Sequence, residues 1–191
     1  WAQAVLDAAP RRAVWIAWSL GGLIALEAAL RAPERMSALI LVTASPRFIR
    51  AADWPAAMPA ETLARFHAGL LADPSAMVLR FLALQVRGSD AARDTLRMLR
   101  SRLVSAPGPR PDALALGLDL LRSGDLRGRL PGLVPPTLWL FGDRDTLVPA
   151  AVAEGVAALL PAARLQVISG AGHAPFLSHP KETSRAITSF L

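Results

Sequence analysis

The sequence predicts an α/β fold in which a mostly parallel sheet carries helices on both faces and a helical insertion interrupts the pattern. Before residue 47 and after residue 131, apolar strand-like runs alternate with helix-period segments, as they do in βαβ units. Between residues 48 and 130, helix-period segments follow one another without a convincing strand. We therefore expect a core formed by residues 1–47 and 131–191 and a helical lid formed by residues 48–130.

The first half of the core reads as helix, strand, helix and strand. Residues 1–9 have the pattern of the end of a helix, and the apolar, β-favouring run Ala13–Trp18 predicts a buried strand. Leu20–Arg31 carries apolar residues at helical spacing and ends before Pro33, as helices usually do. Residues 37–44 form a continuous apolar run, which is typical of a strand buried on both faces of a parallel sheet.

The lid and the second half of the core follow the same reasoning. Helix-period segments separated by turn-forming residues predict lid helices at 60–71, 74–86, 90–104 and 111–122. The α/β alternation then resumes with a predicted strand at Thr137–Gly142, a helix at 149–160, a strand at Arg164–Ile168 and a closing helix at 180–191.

The composition excludes several classes of protein. The chain has 191 residues, 53% of them apolar, which is enough for one domain with a sizeable core. No apolar run reaches the roughly 18 residues of a membrane span, and the first residues lack the pattern of a signal peptide, so we expect a cytoplasmic protein without a membrane. The absence of cysteine excludes disulfides and thiolate chemistry.

The charge and the spacing of possible ligand residues exclude further classes of protein. The net charge is +6, and nearly all of the basic residues are arginines, since Lys181 is the only lysine. No nucleic-acid motif or basic block accompanies that charge, so we expect no nucleic acid. No cluster of His, Asp and Glu has metal-ligand spacing, and no glycine-rich phosphate loop is present, so neither a metal nor a cofactor is expected.

Ser19 stands at the turn between the first predicted strand and the helix after it. A serine on so sharp a turn leaves little room two positions before and two after it, and these positions are Ala17 and Gly21. The pattern is that of a nucleophile elbow, with alanine in the place of the first glycine. The N–H of Leu20, at the start of the helix, is placed to stabilise an oxyanion. On this motif alone, an ordinary strand–helix turn stays open as the alternative.

Two further polar residues follow strand ends. Asp145 comes after the third predicted strand, and His173 lies in a glycine-rich loop after the fourth. The carboxyl ends of parallel strands are where such sheets build their sites. With Ser19, these residues predict a triad in which His173 accepts the serine proton and Asp145 orients the imidazole. Asp143 is the alternative acid, and His179 is the alternative base.

These residues resemble the α/β-hydrolase superfamily over nearly the whole chain. Within it, the sequence resembles the family of pimeloyl-[acyl-carrier protein] methyl ester esterases of biotin synthesis. The resemblance is carried by residues 18–22, 33–35, 80–85, 147–149 and 173–176. It implies a serine carboxylesterase that cleaves a methyl ester while the acyl chain rides on its carrier protein, and we expect the enzyme to act as a monomer.

The resemblance also implies roles for residues in the lid. An acyl pocket would be lined by Trp18, Leu20, Phe81, Leu82, Ala83, Leu84 and Gln85. For Phe81, Leu82 and Leu84, packing inside the lid is the alternative. Arg80, Arg93 and Arg97 match arginines of the family's lid and would dock the acidic carrier protein, since Arg93, Arg97 and Arg100 share one face of a predicted helix. A solvated face balanced by Asp90 and Asp94 is the alternative interpretation.

Departures from the family pattern leave other interpretations open. The family arginine one turn before Arg80 is Ala76 here. The fold normally places about four strands before the elbow, together with a loop that supplies a second oxyanion donor, so we expect an N-terminally truncated hydrolase. The alternatives are a general carboxylesterase, a 3-oxoadipate enol-lactonase-like enzyme and a catalytically silent truncated hydrolase-like protein.

Overall fold

A parallel sheet forms the centre of the molecule in the computed structural model, which describes residues 1–72, 74–87, 93, 94, 96, 97, 99, 101 and 110–191. Its strands are β1 (Ala13–Trp18), β2 (Met36–Val42), β3 (Thr137–Gly142) and β4 (Arg164–Ile168). They pair in sequence order, and every pair is parallel. The carboxyl ends of all four strands therefore lie at one edge of the sheet.

Helices connect the strands and cover the sheet. The described helices are α1 (Ala2–Ala8), α2 (Leu20–Arg31), α3 (Ala60–Ala72), α4 (Pro74–Val86), α5 (Pro111–Ser123), α6 (Val152–Leu159), α7 (Pro175–Ser178) and α8 (Pro180–Thr188), with short 3-10 segments at Pro33–Arg35 and Arg127–Gly132. The predicted helices at 60–71, 74–86 and 111–122 match α3, α4 and α5 closely, whereas most of the predicted helix at 90–104 lies outside the described residues.

The two faces of the sheet pack against different helices. Leu41, Trp139 and Phe141 on one face belong to a buried cluster that includes apolar side chains of α1, α2 and α6. Ile40 and Leu138 on the other face pack against Ala186 and its neighbours at the end of the chain. This two-sided burial explains why β2 and β3 read as continuous apolar runs.

One face of β1, which the sequence predicts to be buried, is exposed in the structure of these 191 residues. Val14, Ile16 and Trp18 are 40%, 60% and 36% exposed, whereas Ala17 between them is buried. β1 pairs with β2 alone among the described strands, and α8 packs over β2 and β3 instead.

Helices α3, α4 and α5 of the predicted lid line a cavity beside Ser19 at the carboxyl edge of the sheet. Phe48, Trp54 and Ala57, which fall in the range predicted as lid, belong to the core cluster. No helix in the described ranges is long and apolar enough to cross a membrane.

The two connections between core and lid are joined by ion pairs. Arg47 Nη1 lies 2.6 Å from Asp125 Oδ2, and Arg127 pairs with both Asp125 at 2.8 Å and Asp53 at 2.9 Å. The Arg127 guanidinium also lies 5.5 Å from the centre of the Trp54 ring. Arg127, and to a lesser extent Arg47, hold the pKa of the Asp125 carboxyl well below its ordinary value.

Candidate active site

The turn after β1 holds Ser19 in a strained backbone conformation. Ser19 has φ 53° and ψ −122° and is the N-cap residue of α2. A non-glycine residue in such a region typically costs about 1–3 kcal/mol. The Ser19 N–H donates to the carbonyl oxygen of Val42 at 3.0 Å, which continues the β1–β2 ladder up to the turn. The serine side chain is thereby presented at the carboxyl edge of the sheet.

The glycines after Ser19 play different parts from those expected. A Cβ added at Gly21 would meet nothing within 4 Å, so the predicted need for a small residue there is not a steric need in this structure. A Cβ added at Gly22 would lie 2.4 Å from the Ala44 Cβ, because α2 passes closely over the turn that follows β2. The steric restriction therefore falls on Gly22.

The structure brings Ser19, Asp145 and His173 together. His173 Nε2 lies 2.8 Å from Ser19 Oγ, and His173 Nδ1 lies 2.6 Å from Asp145 Oδ2. The Asp145 Oδ1 accepts hydrogen bonds from the N–H groups of Leu147 at 2.8 Å and Val148 at 3.0 Å. The side chains of His173 and Asp145 are 1% and 0% exposed. With the carboxylate accepting from Nδ1–H, the histidine presents Nε2 as an acceptor to the serine hydroxyl.

The alternative acid and base are occupied elsewhere. Asp143 is exposed, and its carboxylate accepts hydrogen bonds from the Ser169 hydroxyl at 3.1 Å and the Gly170 N–H at 2.7 Å. His179 is the N-cap residue of α8, and its Nδ1 lies 2.8 Å from the Ser178 hydroxyl. Asp143 therefore stabilises the loop that leads to the histidine and does not contact the imidazole.

An apolar cavity of about 410 Å³ opens beside Ser19. It lies between the elbow and the lid helices α3, α4 and α5. The lining residues are Trp1, Trp18, Ser19, Leu20, Phe66, Met77, Gln85, Ala113, Leu114, Gly117, Leu118 and Leu121. A volume of this size lies within the usual range of pockets for small molecules.

Only part of the predicted acyl pocket faces this cavity. Trp18, Leu20 and Gln85 line it. Leu82, Ala83 and Leu84 do not, because consecutive residues of a helix point about 100° apart and a run of five cannot share one face. Ala83 and Leu84 line a neighbouring cleft instead, and the side chain of Phe81 lies outside the described part of the chain.

Most residues of the cavity wall are not among those predicted from the sequence. Phe66 and Met77 come from α3 and α4, and the rest of the missed helical residues come from α5. The leucine-rich pattern of α5 predicts an amphipathic helix. It does not say which of its leucines face the active site, because Leu116 on the same helix is 56% exposed.

Gln85 is the polar exception in the apolar wall. Gln85 is only 1% exposed. Neither its amide nitrogen nor its amide oxygen has a hydrogen-bond partner among the described residues. A buried polar group left unpaired typically costs about 1–3 kcal/mol. The amide therefore lies in the cavity wall with its hydrogen-bonding capacity unused.

A second, larger cleft lies on the other side of Phe66 and Met77. Its volume is about 1000 Å³, and Phe66 and Met77 line both this cleft and the cavity beside Ser19. Four exposed arginines line it: Arg65, Arg80, Arg87 and Arg93. No carboxylate is found among the residues that line it in the described ranges. We call this feature the arginine cleft.

The predicted docking arginines lie in two different environments. Arg80 and Arg93 line the arginine cleft, whereas Arg97 forms an exposed ion pair with Asp94 at 3.3 Å, as the alternative interpretation expected for that residue. Arg100 and Asp90 lie outside the described residues, and so does most of the predicted helix that was to align them. Within the described residues, no group of three or more His, Cys, Asp or Glu side chains is placed to hold a metal ion.

The sheet, the strained serine turn and the Ser–His–Asp contacts are those of an α/β hydrolase, and the alpha/beta hydrolase fold family matches residues 1–180. The chain belongs to this family, which confirms the predicted fold class. An esterase from Exiguobacterium antarcticum has the same fold, with a TM-score of 0.85 and 23% identity over 98% of this chain and 69% of its own.

The chain is also similar to two proteins with a more specific name. A pimeloyl-[acyl-carrier protein] methyl ester esterase of Xanthomonas oryzae pv. oryzae is 46% identical over 188 residues, which cover 98% of this chain and 74% of that protein. The protein of the same name from Photobacterium profundum is 44% identical over 190 residues, which cover 100% of this chain and 74% of that protein. These similarities confirm the resemblance found in the sequence.

Proposed function

We propose that this protein is a serine esterase that hydrolyses the methyl ester of a pimeloyl chain carried by an acyl carrier protein. The observation that carries the proposal is the contact of Ser19 with the buried His173–Asp145 pair, at the mouth of an apolar cavity. The names of relatives at 44–46% identity supply the substrate.

The geometry supports a two-stage acyl transfer. Ser19 Oγ attacks the ester carbonyl carbon while its proton passes to His173 Nε2, and Asp145 stabilises the resulting imidazolium. The N–H of Leu20 has no partner within α2, because Leu20 is the first residue of that helix, and it stabilises the oxyanion. The C–O bond to the methoxy group then breaks, and methanol leaves with the proton from His173.

Water completes the reaction from the same side of the site. His173 takes a proton from water, the hydroxide adds to the acyl-enzyme carbonyl, and the bond to Ser19 Oγ breaks as the serine regains its proton. The products are methanol and the free carboxylate of the acyl chain. No metal or cofactor takes part in this scheme.

The cavity and the arginine cleft support the substrate assignment. Leu20, Phe66 and Met77 give the acyl chain an apolar surface, and the unpaired Gln85 amide gives it one polar partner. Acyl carrier proteins are acidic, and Arg65, Arg80, Arg87 and Arg93 form a basic cleft one side chain away from the cavity. Arg80 and Arg93 thus remain in the proposed docking surface, and Arg65 and Arg87 join it.

A fluorophosphonate probe tests the nucleophile in the protein expressed with its complete natural sequence. We expect the probe to label Ser19 and to block the release of methanol from methyl pimeloyl-carrier protein. Ser19→Ala should abolish labelling and lower kcat on the order of 10⁶-fold. Labelling at another residue, or methanol release that survives Ser19→Ala, would refute the proposed mechanism.

A further inference from the structure

The backbone carbonyl of His173 accepts two side-chain hydrogen bonds. Trp18 Nε1 donates to it at 2.8 Å, and the Thr43 hydroxyl also donates to it at 2.8 Å. A carbonyl oxygen has two lone pairs, so both are used. The donors come from neighbouring strands, since Trp18 ends β1 and Thr43 directly follows β2, whose last residue, Val42, is paired with Trp18.

Thr43 makes this contact from an unusual backbone conformation. Its φ is 44°, and Thr43 and Ser19 are the non-glycine residues with positive φ in the described part of the chain. Such a φ is a clear outlier for a β-branched residue. The surrounding structure holds the turn in place: the Thr43 N–H donates to the Leu140 carbonyl at 2.7 Å, and the residue is fully buried.

The turn at Thr43 and the turn at Ser19 also pack against each other. Ala44, which follows Thr43, lies where a Cβ on Gly22 would come within 2.4 Å of its side chain. The nucleophile turn and the turn that holds the histidine loop are therefore parts of one closely packed unit. A change in the position of the histidine loop would change the distance between His173 Nε2 and Ser19 Oγ directly.

We infer that Thr43 is a positioning residue of the active site, and this inference rests on the proposed Ser19–His173–Asp145 triad. Its hydroxyl holds the backbone of His173 at the position from which Nε2 reaches Ser19 Oγ. Asp145 sets the orientation of the imidazole ring from one end, and Thr43, together with Trp18, sets the position of the backbone from the other. The strained φ is retained because it aims the hydroxyl at the His173 carbonyl.

Thr43→Val and Thr43→Ser separate the hydroxyl from the shape of the side chain. Thr43→Val keeps the branched shape and removes the donor, so we expect kcat to fall about tenfold to a hundredfold, the usual cost of a small misplacement of reacting groups. KM should change less than kcat. Thr43→Ser keeps the donor and should restore most of kcat. The pH dependence of kcat/KM should shift in Thr43→Val and not in Thr43→Ser.

Thr183 offers a matched control. It is a buried threonine of α8, 3% exposed, and its hydroxyl has no hydrogen-bond partner among the described residues. Thr183→Val should leave kcat and the pH profile unchanged, so a general effect of replacing a buried threonine can be recognised.

Thr43→Gly is a second variant that tests the inference even if Thr43→Val does not fold. Glycine adopts a positive φ without strain and lacks the hydroxyl, so this variant should fold and still show the loss of kcat. Fluorophosphonate labelling of Ser19 should slow in parallel. A kcat within twofold of the wild type in either variant, or an equal loss in Thr43→Ser, would overturn the inference while leaving the proposed esterase intact. An inactive, unlabelled wild-type protein would instead refute the proposed function.

Discussion

The carboxyl edge of the sheet and the helical layer above it are built in different ways. At the sheet edge, Ser19, Asp145 and His173 each follow a strand within a few residues, and backbone hydrogen bonds hold their turns. In the helical layer, side chains of three helices form the cavity wall, and these side chains lie up to 55 positions apart in the sequence. The reacting groups are therefore placed by short local segments, whereas the shape of the cavity depends on how separate helices pack.

The two aspartates after β3 should differ strongly in their contribution to catalysis. Asp145→Asn should lower kcat for methanol release by about 10⁴-fold, because an amide no longer holds the imidazole in the required tautomer. Asp143→Asn should cost about tenfold or less, because the Asp143 carboxylate accepts its hydrogen bonds from Ser169 and Gly170 and lies away from the imidazole. Losses of equal size would show that the distinction between the two acids is wrong.

The arginine cleft should affect only the carrier-bound substrate. Arg65→Gln and Arg87→Gln should each lower the ratio of kcat/KM for the carrier-bound ester to that for the free ester by about two- to fivefold, as expected for one exposed charge pair. The effect should weaken as salt is added. Arg122→Gln is the matched control, since Arg122 pairs with Asp119 on α5 and does not line the cleft. An equal effect of all three variants would contradict docking at the cleft.

We expect Gln85 to assist substrate binding and to lower the stability of the folded protein. Gln85→Met removes a buried amide that has no hydrogen-bond partner among the described residues. We therefore expect the melting temperature to rise by about 2–4 °C, which corresponds to about 1 kcal/mol. The same variant should raise KM for the ester because the substrate loses its polar partner. Gln3→Met, at an exposed position of α1, should change neither quantity. A Gln85→Met variant with unchanged KM would assign the residue to packing alone.

The ion pairs at the joint between the two regions should affect stability and leave catalysis unchanged. Asp125→Asn should lower the melting temperature by about 2–4 °C at pH 7. The pKa of Asp125 is lower in the folded protein than in the unfolded chain, so its contact with Arg127 stabilises the fold above about pH 4 and loses this effect as the pH falls further. The difference between wild type and variant, followed by thermal unfolding, should therefore shrink between pH 5 and pH 2. A constant difference would contradict this account.

The sequence was sufficient for most of the sheet and for the triad candidates. The bounds of β1, β3 and β4 agree with the predicted ones, because turn residues on both sides of each short apolar run mark where the strand begins and ends. Ser19, Asp145 and His173 could be selected because each follows a strand, and parallel strands place their ends together.

The remaining features depend on contacts that no local pattern records. The exposure of Ile16 depends on what packs over β1, and the need for a small residue at Gly22 depends on its approach to Ala44. The placement of Phe66 and Met77 in the cavity wall depends on how α3 and α4 cross. The contact of Thr43 with His173 joins residues 130 positions apart.

The most direct test of the proposed function is the preference for the carrier-bound ester. Methanol release should be measured from methyl pimeloyl-carrier protein and from free methyl pimelate, with the complete natural sequence and with Ser19→Ala as the control. We predict kcat/KM at least tenfold higher for the carrier-bound ester, equivalent to about 1.4 kcal/mol of docking free energy, and no release with Ser19→Ala. Equal values for the two esters would contradict the carrier-protein assignment and leave a general serine esterase.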